Sequence, residues 1–163
     1  AVPGRMQVVN LGPQAPGAVV DFAHTPESVA AALAALPPGR RVAVLGCGGD
    51  RDQAKRGPMG AAAAAGAQVV VVTDDNPRSE DPATIRAAVL AGARAEAVRS
   101  GATVLDGGER AQAIAMALRL AKPGDWVAVL GKGHETGQQL ADRTVPFDDV
   151  TALAQQWVAV RGE

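Results

Sequence analysis

Val69-Val70-Val71-Val72-Thr73-Asp74-Asp75-Asn76-Pro77-Arg78 is the stretch that decides the fold. Four consecutive β-branched residues that run into a polar cluster read as a strand buried on both faces, as in a parallel sheet covered by helices. Open α/β sheets bind ligands at the carboxyl ends of their strands, which is where Asp74 to Arg78 fall. Two carboxylates, an amide and a guanidinium bunched there suit a molecule carrying both charges. Pro77 fixes φ and removes one backbone donor from the turn. The stretch therefore predicts a pocket for a zwitterion.

On either side of it, short β-branched runs alternate with Ala-rich helical stretches. Strands are predicted at Met6 to Asn10, Ala18 to Phe22, Arg41 to Leu45, Gln68 to Thr73, Thr103 to Leu105 and Trp126 to Leu130, with a late one near Thr144 to Phe147. Thr25-Pro26 and Asp81-Pro82 each set an N-cap residue before a proline at the first helical position. A helix from Glu109 to Ala121 stops at Lys122-Pro123-Gly124. The alternation predicts an α/β, Rossmann-like fold, a mostly parallel sheet of about six strands with helices on both faces. No repeat or linker interrupts residues 1–163, which read as one domain. Val2-Pro3-Gly4-Arg5 reads as a hinge leading out of something upstream, so the chain is expected to be one domain of a longer protein.

Composition narrows the function classes. The chain has 163 residues, 47% of them apolar, enough for one compact core. Sixteen basic against seventeen acidic residues leave a net charge of −1, with no overall pull toward nucleic acid or an anionic membrane. The apolar runs are too short to span a bilayer, and the first residues have neither a basic n-region nor an h-region, so a cytoplasmic protein is expected. A lone Cys47 excludes an internal disulfide and reads as a small packed residue. Two isolated histidines beside one cysteine give no zinc spacing, and no metal site is expected in this chain.

Three further strand ends carry candidate chemistry. Val19-Val20-Asp21-Phe22-Ala23-His24-Thr25-Pro26 leaves a carboxylate and an imidazole near a helix N-terminus, a place suited to ribose or phosphate; the plainer alternative has Asp21 capping a turn and His24 packed at the helix start. Gly46-Cys47-Gly48-Gly49-Asp50-Arg51-Asp52 fits neither the dinucleotide fingerprint nor a G-x-x-x-x-G-K-[ST] loop. Its glycines shape the turn, and Arg51 either binds an anion or pairs with Asp50 or Asp52. Leu130-Gly131-Lys132-Gly133-His134-Glu135 is a tight turn in which Glu135 offers a carboxylate to a cation, unless Lys132 and Glu135 are simply solvated. Together the Arg51, Arg78 and Glu135 turns converge on one rim, two cationic forks for a carboxylate and one anion for an ammonium.

In their order and spacing these four motifs, Asp21 to Pro26, Gly46 to Asp52, Thr73 to Arg78 and Gly131 to Glu135, resemble the C-terminal domain of the Mur ligases, and among them those that add meso-diaminopimelate. The resemblance covers nearly the whole chain. It implies a cytoplasmic step of peptidoglycan synthesis: ATP phosphorylates the D-glutamate carboxylate of UDP-N-acetylmuramoyl-L-alanyl-D-glutamate, and the amine of an amino acid attacks the acyl phosphate. In that family the Walker loop, the Mg2+ ligands and a carbamylated lysine belong to a central domain, and the UDP moiety to an N-terminal one. By this likeness the chain is expected to swing over the ATP site and deliver the amino acid, and to be catalytically silent alone.

Residue by residue, the resemblance implies that Arg51, Asp75, Asn76, Pro77, Arg78, Gly131 and Glu135 hold diaminopimelate, and that Arg5, Asp21 and His24 face ATP. Diaminopimelate has a second α-amino acid group at its far end, which lysine lacks. A lysine ligand would leave the arginines unpaired. Arg78 thus favours diaminopimelate over a sibling, lysine-adding or folylpolyglutamate-type domain. A non-catalytic nucleotide- or protein-binding module is the other alternative. The chain departs from the family pattern at Phe22, where tyrosine is usual, and at Gly57-Pro58, where proline commonly follows the arginine directly.

Overall fold

The structure is a computed structural model and describes residues 2–163. The valine run forms the central strand and explains the architecture. Val70 and Val72 point into one apolar layer and Val69 and Val71 into the other, so both faces of the strand are dry.

Along the chain, strands β1 (Gln7–Val8) and β2 (Gly17–Asp21) lead into helix α1 (Pro26–Ala34). Strand β3 (Arg41–Leu45) is followed by a 3-10 turn at Gln53–Lys55 and helix α2 (Arg56–Gly66). Strand β4 (Val69–Thr73), helix α3 (Pro82–Ser100), strand β5 (Thr103–Gly108), helix α4 (Arg110–Leu120) and strand β6 (Trp126–Leu130) continue the alternation. A hairpin of β7 (Gly137–Gln139) and β8 (Thr144–Pro146) precedes the closing helix α5 (Asp149–Arg161).

The main sheet has the order β1-β2-β6-β3-β4-β5, parallel throughout except for β1, which pairs antiparallel with β2. Helices α1, α2 and α3 cover the face of Val70 and Val72, and α4 and α5 cover the other. The α/β fold, its six strands and its two helical layers thus agree with the sequence reading. The N-caps do as well. Thr25 Oγ1 accepts from Ser28 N while Ser28 Oγ accepts from Thr25 N, and Asp81 Oδ1 accepts from Ala83 N.

Three strands differ from expectation. β1 is two residues long, because Met6 sits at φ 41 and Asn10 turns the chain by accepting from Gly12 N. β5 runs on to Gly108 past a register shift opposite Val72 and Thr73. The late strand near Thr144 to Phe147 exists but does not join the main sheet; it pairs with β7. Nothing in Gly137-Gln138-Gln139 has strand propensity, and its partner strand holds it extended.

Candidate functional site

The four motif-bearing strands β2, β6, β3 and β4 are consecutive neighbours in the sheet and all parallel, so their carboxyl ends open on one edge. A cavity of about 360 Å³ lies there. Phe22 and His24 line it from the turn after β2, Gly48, Arg51 and Lys55 from the loop after β3, Asp75, Asn76 and Arg78 from the turn after β4, and Gly131 and Glu135 from the turn after β6. Of the residues assigned to the amino acid, only Pro77 stands behind the wall, buried against the β3 loop.

The loops after β3 and β4 are zipped together. Gly49 N donates to Asn76 O at 2.8 Å, and a Cβ on Gly49 would fall 1.9 Å from Pro77 O, so only glycine permits this approach. The buried Arg56 guanidinium donates to both oxygens of Glu80, at 3.0 and 2.9 Å, and to Gly48 O. Asp50 accepts from Ser79 N and Oγ. The Arg56 hydrogen bonds hold Glu80 below the usual carboxylate range, and the Ser79 hydrogen bonds do the same for Asp50.

This frame positions the two guanidiniums that line the cavity alongside Lys55. Arg51 does not pair with Asp50 or Asp52; its Nη1 donates to the Asp50 carbonyl at 2.8 Å. Arg78 sits at φ 52, with Nη1 donating to Gly49 O at 2.9 Å and Nε to Gln139 Oε1 at 3.1 Å. The hydrogen bonds that hold both guanidiniums therefore go to neutral oxygens. Neither guanidinium forms a salt bridge among the described residues, although the Asp50 carboxylate lies near enough to feel both charges.

Opposite them, two carboxylates share one buried cation that the sequence reading treated only as part of a tight turn. Lys132 is fully buried, and its Nζ donates to Asn76 Oδ1 and Gly137 O, each at 2.9 Å. It lies 3.2 Å from Asp75 Oδ1 and 3.9 Å from Glu135 Oε1. Asn76 Oδ1 also accepts from Gln139 N at 3.0 Å, which settles which end of the amide accepts and reserves Nδ2 as a donor. Gln138 Nε2 donates to Asp75 O at 2.7 Å. The β7–β8 hairpin thus straps the whole Asp75 to Arg78 turn, a role that no local signal in Gly137-Gln138-Gln139 discloses.

Beneath the cavity Arg110, also fully buried, makes a two-pronged pair with Asp149, Nε to Oδ1 at 2.8 Å and Nη2 to Oδ2 at 2.7 Å. It donates as well to Asp74 O and Leu130 O, the backbone at the ends of β4 and β6. Burial alone lowers a guanidinium pKa, but the Asp149 charge and hydrogen bonds, with Asp75 and Glu135 nearby, more than offset it and raise that of Arg110. Asp74 does not line the cavity and instead pairs with Arg86 at 2.7 Å. Its own carboxyl is raised, by burial first, against the Arg86 hydrogen bond.

The three residues assigned to ATP are divided. His24 lines the cavity, its Nδ1 2.7 Å from Phe22 O. Asp21 lies outside it, with Oδ2 accepting from Met6 N and Oδ1 from Ala23 N, so it fixes the turn after β2. Arg5 is exposed and stacks over the Phe22 ring at 4.9 Å. The segment that reads as a hinge is docked here: Gly4 packs on the backbone of Gly133 and His134. Cys47 is buried beside Met59, and burial pushes its thiol up to about 11, a packed residue and not a nucleophile. Among the described residues no group of three His, Cys, Asp or Glu side chains is placed to hold a metal, and no helix is long and apolar enough to cross a membrane.

Known proteins resemble this chain in sequence and fold. The diaminopimelate ligase of Corynebacterium glutamicum, in full UDP-N-acetylmuramoyl-L-alanyl-D-glutamate--2,6-diaminopimelate ligase, is 54% identical over 154 residues, which cover 91% of this chain and 30% of that protein. The enzyme of the same name from Streptomyces coelicolor is 50% identical over 157 residues, 94% of this chain and 31% of that protein. A solved structure of a ligase of that name superposes with a TM-score of 0.85 at 38% identity, covering 99% of this chain and 32% of the other. A Mycobacterium tuberculosis folylpolyglutamate synthase, at 24% identity and a TM-score of 0.58, shares the fold. The chain thus spans about a third of the length of the curated relatives it matches. Residues 4–133 match the model of the family described as Mur ligase, glutamate ligase domain, and with identity of this level over nine-tenths of its length the chain belongs to the Mur ligase family.

Proposed function

We propose that residues 1–163 form the C-terminal, amino-acid-delivering domain of an ATP-dependent ligase that joins meso-diaminopimelate to UDP-N-acetylmuramoyl-L-alanyl-D-glutamate in cytoplasmic peptidoglycan synthesis. The observation that carries this reading is the charge layout of the cavity. Arg51 and Arg78 are held by neutral oxygens, and Asp75 and Glu135 face the same space around one buried lysine. An amino acid with a carboxylate and an ammonium at its far end complements both halves. Relatives carrying the diaminopimelate ligase name at half identity support the choice of substrate.

In this reading the acceptor carboxylate takes the γ-phosphoryl group of ATP, with release of ADP, and the diaminopimelate amine then displaces phosphate to form the amide. This chain contributes binding and orientation. The two guanidiniums and Asn76 Nδ2 receive the distal carboxylate, Glu135 and Asp75 the distal ammonium, and the near amine is left free to attack. ATP meets the chain at Arg5, Asp21 and His24 when the domains close. In this reading Mg2+ and the phosphoryl chemistry belong to other domains of the ligase.

Steady-state assays of the full-length ligase with diaminopimelate and with lysine test the reading. A site built to pair a distal carboxylate rejects the analogue lacking it by roughly ten-thousand-fold in kcat/KM. Comparable use of the two amino acids overturns the assignment.

A further inference from the structure

We propose that Gln139 is the positioning residue that sets amino acid specificity, by holding the Arg78 guanidinium with a neutral acceptor; this rests on the reading of Arg78 as the contact for the distal carboxylate. Three hydrogen bonds tie Gln139 to the turn. Its N–H donates to Asn76 Oδ1 at 3.0 Å, its carbonyl accepts from Arg78 N at 3.0 Å, and its Oε1 accepts from Arg78 Nε at 3.1 Å.

The first holds the Asn76 side chain, and the second fixes the backbone of a residue that has to be fixed. Arg78 lies at φ 52, a region that a long L side chain seldom occupies without outside support. The third fixes the side chain. With Nε on Gln139 and Nη1 on Gly49 O, the plane of the guanidinium is set, and Nη2 is the edge left for a ligand.

The chemistry of residue 139 then decides how much charge that edge offers. An amide oxygen orients the fork without adding a negative charge beside it. A carboxylate in the same place would orient it equally well, form a charge-assisted pair, and compete with the ligand carboxylate for the same cation. A purely structural strap would therefore gain from glutamate at 139, whereas a specificity device would lose.

The test is the kinetics of Gln139→Leu and Gln139→Glu in the full-length ligase, with diaminopimelate, lysine and ATP varied in turn. Gln139 is exposed, so neither change disturbs the core, and the KM for ATP serves as the internal control. Gln139→Leu is expected to raise the diaminopimelate KM about five-fold through loss of one hydrogen bond. Gln139→Glu is expected to raise it at least as much and to reduce the preference for diaminopimelate over lysine by about ten-fold or more, with the ATP KM unchanged in both. A Gln139→Glu enzyme that equals or surpasses the unsubstituted one, or an ATP KM that rises in step, overturns the role of Gln139. If the unsubstituted enzyme shows no preference for diaminopimelate, the reading of the cavity itself falls, and this proposal with it.

Discussion

Lys132 and Arg78 show how much of the site depends on the state of single side chains. An ammonium taken fully out of water costs several kcal/mol, and here the cost is offset by Asp75, Glu135 and two oxygens at 2.9 Å. Lys132→Met removes the only cation among the described residues that lies this close to Asp75 Oδ1, an atom that is buried and accepts no hydrogen bond. The expected loss is about 3 kcal/mol or more, seen as a fall in melting temperature of roughly 6 °C or more by calorimetry. An unchanged melting temperature would mean that the charge is solvated after all. Arg78→Ala tests the ligand side of the same cavity. On the proposed reading, loss of the arginine is expected to raise the diaminopimelate KM of the full-length ligase by about ten- to a hundred-fold and to leave the ATP KM in place; equal rises for both substrates would count against the carboxylate contact. The arginine is legible in the sequence because its motif is local. The lysine is not, since Gly131-Lys132-Gly133 reads as an ordinary tight turn until β4 brings Asp75 and Asn76 alongside.

At the scale of elements, the loops after β3 and β4 act as one unit through Arg56–Glu80 and Asp50–Ser79. Both carboxylates have folded-state pKa values lowered from the ordinary 4.5 and 3.8. Their contribution to stability is therefore complete above those ordinary values, and it is lost as pH falls through the lowered, folded ones. Asp74 has the opposite sign: its carboxyl is raised by burial, so the folded state takes up its proton more readily and acidification relieves a cost. The loops are expected to open as pH falls through the lowered Glu80 and Asp50 values, read as faster amide exchange at residues 46–56, and Glu80→Gln should flatten the acid limb of a stability–pH curve. Identical curves for Glu80→Gln and the parent protein would remove Glu80 from the account. Glycines and charges after β3 mark that loop in the sequence as a ligand loop, but its zip to the β4 turn is invisible there. So is β7, whose two glutamines carry no strand signal and pair with β8 while reaching Asp75, Asn76 and Arg78.

For the molecule as a whole, alternation of β-branched and Ala-rich stretches discloses the layers, because burial on both faces demands the apolar runs at residues 42–45, 69–72 and 127–130. It does not disclose that β6 inserts between β2 and β3, and that insertion is what sets all four motifs side by side. The buried Arg110–Asp149 pair is tied to this arrangement, since it joins the N-termini of α4 and α5 to the ends of β4 and β6. A buried pair of this kind is a weak source of net stability and a strong source of geometry: removing one partner strands a charge, while replacing both with apolar groups is often neutral. Arg110→Met alone is expected to cost about 3–5 kcal/mol in urea unfolding, and Arg110→Met with Asp149→Leu to recover most of it. The double variant still lacks the donors to Asp74 O and Leu130 O, so the strand ends beneath the cavity lose their common anchor. It should fold with near-parental stability yet show a raised KM for diaminopimelate. Additive losses in stability would show that the pair is not coupled, and a parental KM in the double variant would show that the strand ends hold their positions without Arg110.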